Sequence, residues 1–216
     1  MRLPFRVFWF LLAVFAIVDG IGALRYLLPH VPAAAPLDNF IRHRVALSLH
    51  AFCGGIALLA GPLQFLPAFR TYHWRTHRVL GRIYFAGVLI GGIASLNLAR
   101  HAQTGLVASS GFLALGALWL ATTVAAVSFI LRGKQNAHRR WMIRSYALTA
   151  AAITLRIYLP LSVAMHVRFE EAYPLIAWLC WIPNLLIVEL YLWFVPGAGW
   201  PSSVADFTQH SSVKSA

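Results

Sequence analysis

Acidic residues are scarce in this sequence. Asp and Glu number 6 among 216 residues, against 18 Lys and Arg, and charged residues make up only 11% of the chain. Soluble domains carry roughly 25% charged residues, which cover their core with a polar surface. Together with 60% hydrophobic residues and a mean hydropathy of +0.70, this shortage excludes an ordinary soluble domain and indicates an integral membrane protein.

Cysteine is rarer still. The chain has 2 cysteines, Cys53 and Cys180, which both lie in apolar stretches and form no CxxC spacing. A disulfide framework or a thiolate metal site would need closely spaced pairs, so we expect two buried thiols that act as small hydrophobic groups. The sequence also lacks a nucleophile elbow, a phosphate-binding loop, an HExxH motif and a Rossmann fingerprint. Catalysis of the kind found in soluble enzymes therefore has no support.

Long apolar runs are what the sequence has in abundance. In lipid, runs of about 20 apolar residues must be helices, because each backbone polar group needs a partner within the chain. The predicted helices are Val7–Leu28, Val45–Phe65, Val79–Ala99, Ser109–Leu131, Trp141–Met165 and Tyr173–Val195. The prediction is an all-α integral membrane bundle of six transmembrane helices. Residues 1–44 hold the first helix and an outer loop, residues 45–195 a five-helix core, and residues 196–216 a disordered cytoplasmic tail.

The cations are distributed unevenly between the two predicted sides of the membrane. One side carries Arg2, Arg6, Arg70, Arg75, Arg78, Arg82, Arg132, Lys134, Arg139, Arg140, Arg144 and Lys214, and the other carries Arg25, Arg42, Arg44, Arg100 and Arg168. By the positive-inside rule the richer side, with both termini, is cytoplasmic. The net charge of +12 is then explained by basic loops that meet anionic lipid headgroups, without nucleic acid as a partner.

One pattern occurs twice on that side: a His-Arg pair followed by an arginine and a tyrosine. The copies are His77-Arg78 with Arg82 and Tyr84, and His138-Arg139 with Arg144 and Tyr146. The predicted topology puts both histidines at one depth, at the cytoplasmic starts of the third and fifth helices. If these helices touch, the two imidazoles can hold a b-type haem, with Arg82 and Arg144 binding its propionates. Alternatively, these residues are interfacial groups that meet lipid headgroups.

Other histidines suggest weaker sites. His50 and His101 lie near the opposite interface, where a second haem could bind, although the fourth helix has no histidine. The alternative is that each is a satisfied histidine near a helix end. His73 and His77 have the i, i+4 spacing of a metal chelate, but no carboxylate or cysteine stands near them in the sequence to complete a metal site.

Charged residues inside the apolar runs mark a further candidate site. Arg156 lies in the fifth predicted helix, Asn184 and Glu189 lie in the sixth, and Asp19 is the other acid within a run. An intramembrane charge is costly unless it is paired, and it commonly marks a functional site. We expect a polar network that joins Arg156, Asn184 and Glu189. It is either a functional site or a polar clamp between helices.

Several segments resemble a known family. They are Leu49-His50, Gly61 to Phe65, His77 to Tyr84, Ala137 to Tyr146, and Trp181 to Leu186 with Glu189. Together they resemble the bacterial predicted membrane proteins grouped as domain of unknown function 2306, over about residues 45 to 195. The resemblance implies a multi-pass protein of the bacterial inner membrane and no particular activity. A looser resemblance, through His77 and His138, is to di-haem membrane cytochromes of the b561 kind.

Two functional hypotheses follow. The first is a b-type haem protein that passes electrons, with His77 and His138 as axial ligands. The second is a non-enzymatic binder or transporter of a small molecule or an anionic lipid. In that case the basic junctions would bind the headgroup, and Arg156, Asn184 and Glu189 would form the inner polar site.

Overall fold

The computed structural model describes residues 3–23 and 42–195 of the chain. The regular structure in these ranges is entirely helical. The helices are α1 (Leu3–Ala23), α2 (Arg44–Phe65), α3 (Pro67–Tyr72), α4 (Trp74–Ala99), α5 (Leu106–Leu131), α6 (Gln135–Thr149), α7 (Ala151–Ala164), α8 (Phe169–Leu179) and α9 (Ile182–Phe194). The all-α prediction is confirmed for this part of the chain.

Five helical segments among the described residues are long and apolar enough to cross a membrane. They are α2, α4, α5, the continuous segment formed by α6 and α7, and the continuous segment formed by α8 and α9. Helix α1 contributes a shorter apolar stretch, Phe10–Ala23. The first predicted span extends to residue 28, and its end, the outer loop and the tail after residue 195 lie outside the described residues.

The helices extend further into the basic junctions than the apolar runs predict. Helix α4 begins at Trp74 and helix α6 at Gln135, several residues before the predicted starts. Hydropathy marks only the lipid-crossing part of a helix, whereas arginine is a good helix former in any solvent. As a result, His77 and His138 each lie one turn inside a helix. The first junction also contains the short helix α3, which has Pro67 in its first turn.

Two predicted helices are each divided in two. The break between α6 and α7 falls at Ala150, where Thr149 Oγ1 donates a hydrogen bond to the carbonyl of Ser145 at 2.9 Å, a bond that often bends helices. The break between α8 and α9 falls at Cys180 and Trp181. Pro183 stands in the first turn of α9 and has no backbone N–H to continue the preceding helix.

Small residues bring α2 and α4 together. A β-carbon on Gly87 would lie 2.9 Å from the backbone oxygen of Cys53, and one on Gly91 would lie 3.3 Å from the backbone nitrogen of Gly54. Glycine at a four-residue spacing is what allows two membrane helices to approach this closely. Helix α2 also packs against α1, α5 lies between α4 and α6, and α8 packs on α5.

Candidate functional site

A cavity of about 270 Å³ lies in the half of the bundle remote from His77 and His138. It is placed there because its walls include Ala99, at the far end of α4, and Phe169, at the start of α8. Most of the lining is apolar, from residues such as Leu58, Leu115 and Leu155, and polar groups come from Asp19, His50, Trp119, Thr149 and Arg156. The cavity is therefore an apolar space with a few polar groups, which is the usual composition of a ligand pocket.

An ion pair between α1 and α7 forms part of the cavity wall. Nη1 of Arg156 donates to Oδ2 of Asp19 at 2.7 Å and to the carbonyl oxygen of Ala152 at 3.3 Å. The exposed fraction of the side chain is 8% for Asp19 and 35% for Arg156. Both members of the pair line the cavity, and the side chain of Arg156 is the more exposed of the two.

The structure does not join Arg156, Asn184 and Glu189 in the predicted network. Glu189 instead accepts two hydrogen bonds from Arg144, at 2.5 and 2.8 Å. Arg144 precedes Arg156 by 12 positions, which is about 18 Å along a helix, so the two arginines pair at different depths. Arg156 therefore pairs with Asp19 on the first helix and not, as predicted, with Glu189 on the last.

Asn184 makes contacts of its own at the two helix breaks. Its Nδ2 atom lies within hydrogen-bond distance of Thr154 Oγ1 at 3.0 Å, Cys180 O at 3.2 Å and Ala147 O at 3.4 Å. These groups flank the α6–α7 break and the α8–α9 break. Asn184 therefore connects two irregular places in the backbone, which is the clamp role that the sequence left open.

A buried hydroxyl network adjoins the cavity and was not identified from the sequence. The Tyr84 hydroxyl lies 2.7 Å from Ser145 Oγ and 2.8 Å from Thr149 Oγ1, and Ser145 Oγ lies 2.6 Å from Thr123 Oγ1. Trp119 Nε1 donates to Thr149 Oγ1 at 2.8 Å. Because Trp119 and Thr149 also line the cavity, the network links the pocket to the middle of the bundle. The feature of the sequence that could have indicated this network is Tyr84, the tyrosine of the first copy of the repeated pattern.

The opposite end of the bundle is cationic, and we call its cluster of Gln64, Arg70, His77, His138 and Arg139 the basic end. His77 lies within electrostatic reach of Arg70 and His138, and Arg70 within reach of Arg139. Nδ1 of His138 donates to the carbonyl oxygen of Ala126 at 2.8 Å. Burial, and to a smaller extent the charge of Arg139, lower the pKa of the Arg70 guanidinium. The structure thus brings the two predicted histidines into one cluster.

The proposed second histidine pair is not formed. Nδ1 of His50 donates to the carbonyl oxygen of Gly91 at 2.9 Å, and the ring lies edge-on to Trp119 beside the cavity. His101 stacks on His43 instead, with 3.8 Å between ring centroids. His43 precedes His50 by seven positions, or about 10 Å along a helix, so His101 meets α2 nearer to its start.

The other predicted ligand residues are dispersed. Arg82 is exposed on the surface of α4, and Arg144 is held by Glu189 and lies over the Trp141 ring at 5.0 Å. His73 caps α4 and packs on Phe69. In the part of the chain that the structure describes, no three His, Cys, Asp or Glu side chains come together to hold a metal ion. Cys53 and Cys180 are free and buried, as expected.

Residues 47–192 match the family described as predicted membrane protein, domain of unknown function 2306. The chain belongs to this family. No curated protein and no solved structure matches the chain. The match confirms the resemblance and identifies a membrane protein with several apolar helices, and it carries no assigned activity.

The segments that carry this family resemblance meet one another in the structure. A β-carbon on Gly61 would lie 1.9 Å from the ring of Tyr146, so glycine makes room for that ring. Tyr84 bonds Ser145, and Glu189 bonds Arg144. The family segments therefore form the packing around the hydroxyl network, whereas Asp19 lies outside the matched range and completes the cavity from α1.

Proposed function

We propose that this protein is a non-enzymatic binder or transporter of a small, largely apolar molecule that carries an anionic or hydrogen-bond-accepting group. The observation that supports this function is the exposed face of Arg156. Its side chain is 35% exposed and lines the cavity, while the side chain of its partner Asp19 is only 8% exposed. A charge at this depth is costly and needs a functional reason.

The remaining walls fit the same class of ligand. The cavity volume of about 270 Å³ is near the lower end of the range for small-molecule pockets, so the molecule would be small. Leu58, Leu115 and Leu155 would contact its apolar part. A negative group placed against Arg156 would gain more there than in water, because charges interact more strongly where the dielectric constant is low.

Benzoate and benzyl alcohol test this chemistry, because they share a ring and differ in the charged group. We expect benzoate to raise the unfolding temperature of the protein in nanodiscs, with benzyl alcohol having a much smaller effect, since a ligand that binds only the folded state stabilises it. Leu155→Trp, which fills the cavity, should abolish the benzoate effect. Ile157→Trp, on the exposed side of the same helix, is the matched control and should retain it. Equal effects of both compounds on all three proteins would argue against the proposal.

A b-type haem remains the second candidate, and one observation favours it. The hydrogen bond from His138 Nδ1 to the Ala126 carbonyl orients the ring and leaves Nε2 available, as is usual for a histidine that ligates a metal. His77, which interacts electrostatically with His138, would supply the second imidazole. Haem held there would supply one-electron transfer.

The expected result for haem is a reducible Soret band in protein purified from haem-replete cells. Both His77→Ala and His138→Ala should remove the band, because each deletes one axial ligand. His166→Ala, a histidine after α7 and outside this cluster, is the control and should leave the spectrum unchanged. A colourless protein would contradict the haem hypothesis and leave the cavity as the functional site.

We also propose that the chain crosses the bacterial inner membrane six times, with both termini and the basic end in the cytoplasm. Support comes from the cation bias and from the apolar stretch of α1 beside the five longer spans. The domain division at residues 44 and 195 belongs to the same proposal. Of two reporters fused after Val195, the one that is active only in the cytoplasm should give a signal, and the one that is active only in the periplasm should give none. A periplasmic signal from this fusion would overturn the orientation.

A further inference from the structure

The basic end contains buried hydrogen-bonding groups that lack a partner in the described part of the chain. Gln64 is 7% exposed, yet its Nε2 atom has no hydrogen-bond partner there. The same is true of Nδ1 of His77 and Nε of Arg139. A buried polar group without a hydrogen-bond partner is destabilising, so several of them at one end of the bundle require an explanation.

Three helices bring these atoms to one place. The Oε1 atom of Gln64, on α2, lies 3.6 Å from the position that a β-carbon on Gly81 would occupy. His77 stands one turn before Gly81 on α4, on the same face as the buried Tyr84. From α6, His138 lies within electrostatic reach of His77, and Arg139 within reach of Arg70. The unpartnered groups therefore lie at the same end of the bundle, on α2, α4 and α6, and electrostatic interactions link α4 to α6 there.

The chemistry of the cluster matches an anion with several acceptor oxygens. Arginine and the amide nitrogen of glutamine can only donate, and a neutral histidine donates through one of its two ring nitrogens. The ion pairs among the described residues use Arg144, Arg156 and Arg168, and none uses Arg139. A phosphate group accepts from guanidinium and amide groups in the strong, charge-assisted geometry.

We propose that the basic end is a phosphate-binding site, formed by Gln64, His77 and Arg139, which receives either the headgroup of an anionic lipid or a free phosphate. The site is separate from the cavity of Asp19 and Arg156 and does not depend on the function proposed for that cavity. A lipid phosphate in this place would sit at the membrane surface, at the end of the bundle where Arg70, Arg75, Arg78 and Arg82 are also found.

The experiment uses the full chain in nanodiscs and measures the unfolding temperature. One arm compares inorganic phosphate with chloride at equal ionic strength in phosphatidylcholine discs. The other compares discs that contain phosphatidylglycerol with discs that do not. We expect one arm to stabilise the protein. Arg139→Leu should need about tenfold more phosphate or anionic lipid for the same rise in unfolding temperature, as expected for the loss of a hydrogen bond to a charged group. Arg140→Leu, at the exposed neighbouring position, is the control and should respond like the wild type.

A second variant distinguishes loss of phosphate binding from loss of folding. Gln64→Glu keeps the shape of the side chain and supplies a carboxylate of its own. In the absence of phosphate and anionic lipid, Gln64→Glu should unfold at a higher temperature than the wild type. Adding phosphate or anionic lipid should then not raise its unfolding temperature further. A response only to phosphatidylglycerol assigns the site to lipid, and a response only to inorganic phosphate assigns it to a free anion. Equal responses from wild type, Arg139→Leu and Gln64→Glu, no response in either arm, or a haem-loaded protein would overturn the proposal.

Discussion

Replacing Asp19 by leucine should lower the free energy of unfolding by about 3 kcal/mol, at the low end of the range for breaking a buried ion pair because Arg156 is 35% exposed. The loss arises because arginine keeps its proton and is left unpaired inside the membrane. Arg156→Leu should cost less, since a carboxyl group can take up a proton. The double variant Asp19→Leu/Arg156→Leu should be more stable than Asp19→Leu alone.

The negative control for this cycle is Arg156 with Glu189, which the structure separates. The effects of Arg156→Leu and Glu189→Leu on the free energy of unfolding should add to within about 0.5 kcal/mol, as expected for sites that share no partner. The positive control is Arg144 with Glu189, which should show a coupling of their own because two hydrogen bonds join them directly. SDS-induced unfolding in mixed micelles measures all three cycles. Coupling between Arg156 and Glu189 without coupling between Arg156 and Asp19 would show that the ion pairs are misassigned.

The approximate positions of the five long apolar helical segments could be predicted from the sequence because hydropathy reports directly on lipid contact. The helix ends could not, since Trp74 and Gln135 begin helices in polar segments that hydropathy reads as loops. The break at Trp181 was signalled by Pro183, whereas the break at Ala150 has no local breaker residue. At that break the Thr149 hydroxyl donates to the Ser145 carbonyl and also contacts Tyr84 and Trp119 on other helices, and these tertiary contacts cannot be read from the sequence.

The candidate sites show the same limit. That Arg156 needs a partner follows from the cost of an unpaired charge, but which acid supplies it depends on helix packing. Asp19 lies 137 positions away in the chain, and no spacing rule links the two residues. The clustering of His77 with His138 followed from the repeated pattern, because equal positions on two helices give equal depth. The cavity itself could not be predicted, since an empty space is a property of packed side chains.

Leu155→Trp should prevent a ligand from binding in the cavity. Leu155 lines the cavity, and its replacement by the larger indole would occupy space needed by a ligand of the proposed size. Ile157 on the same helix is 45% exposed, so the same substitution there adds equal bulk on the outside of the bundle. The comparison separates filling of the cavity from a general effect of tryptophan on α7.

The most direct measurement is native mass spectrometry of the three proteins, each purified from membranes under the same mild conditions. We predict that wild type and Ile157→Trp carry a small molecule with an acidic or hydrogen-bond-accepting group. Leu155→Trp should lose at least nine-tenths of that molecule and remain folded. The same bound mass in Leu155→Trp as in the wild type, or no bound small molecule in any of the three, would contradict a ligand in the cavity of Asp19 and Arg156.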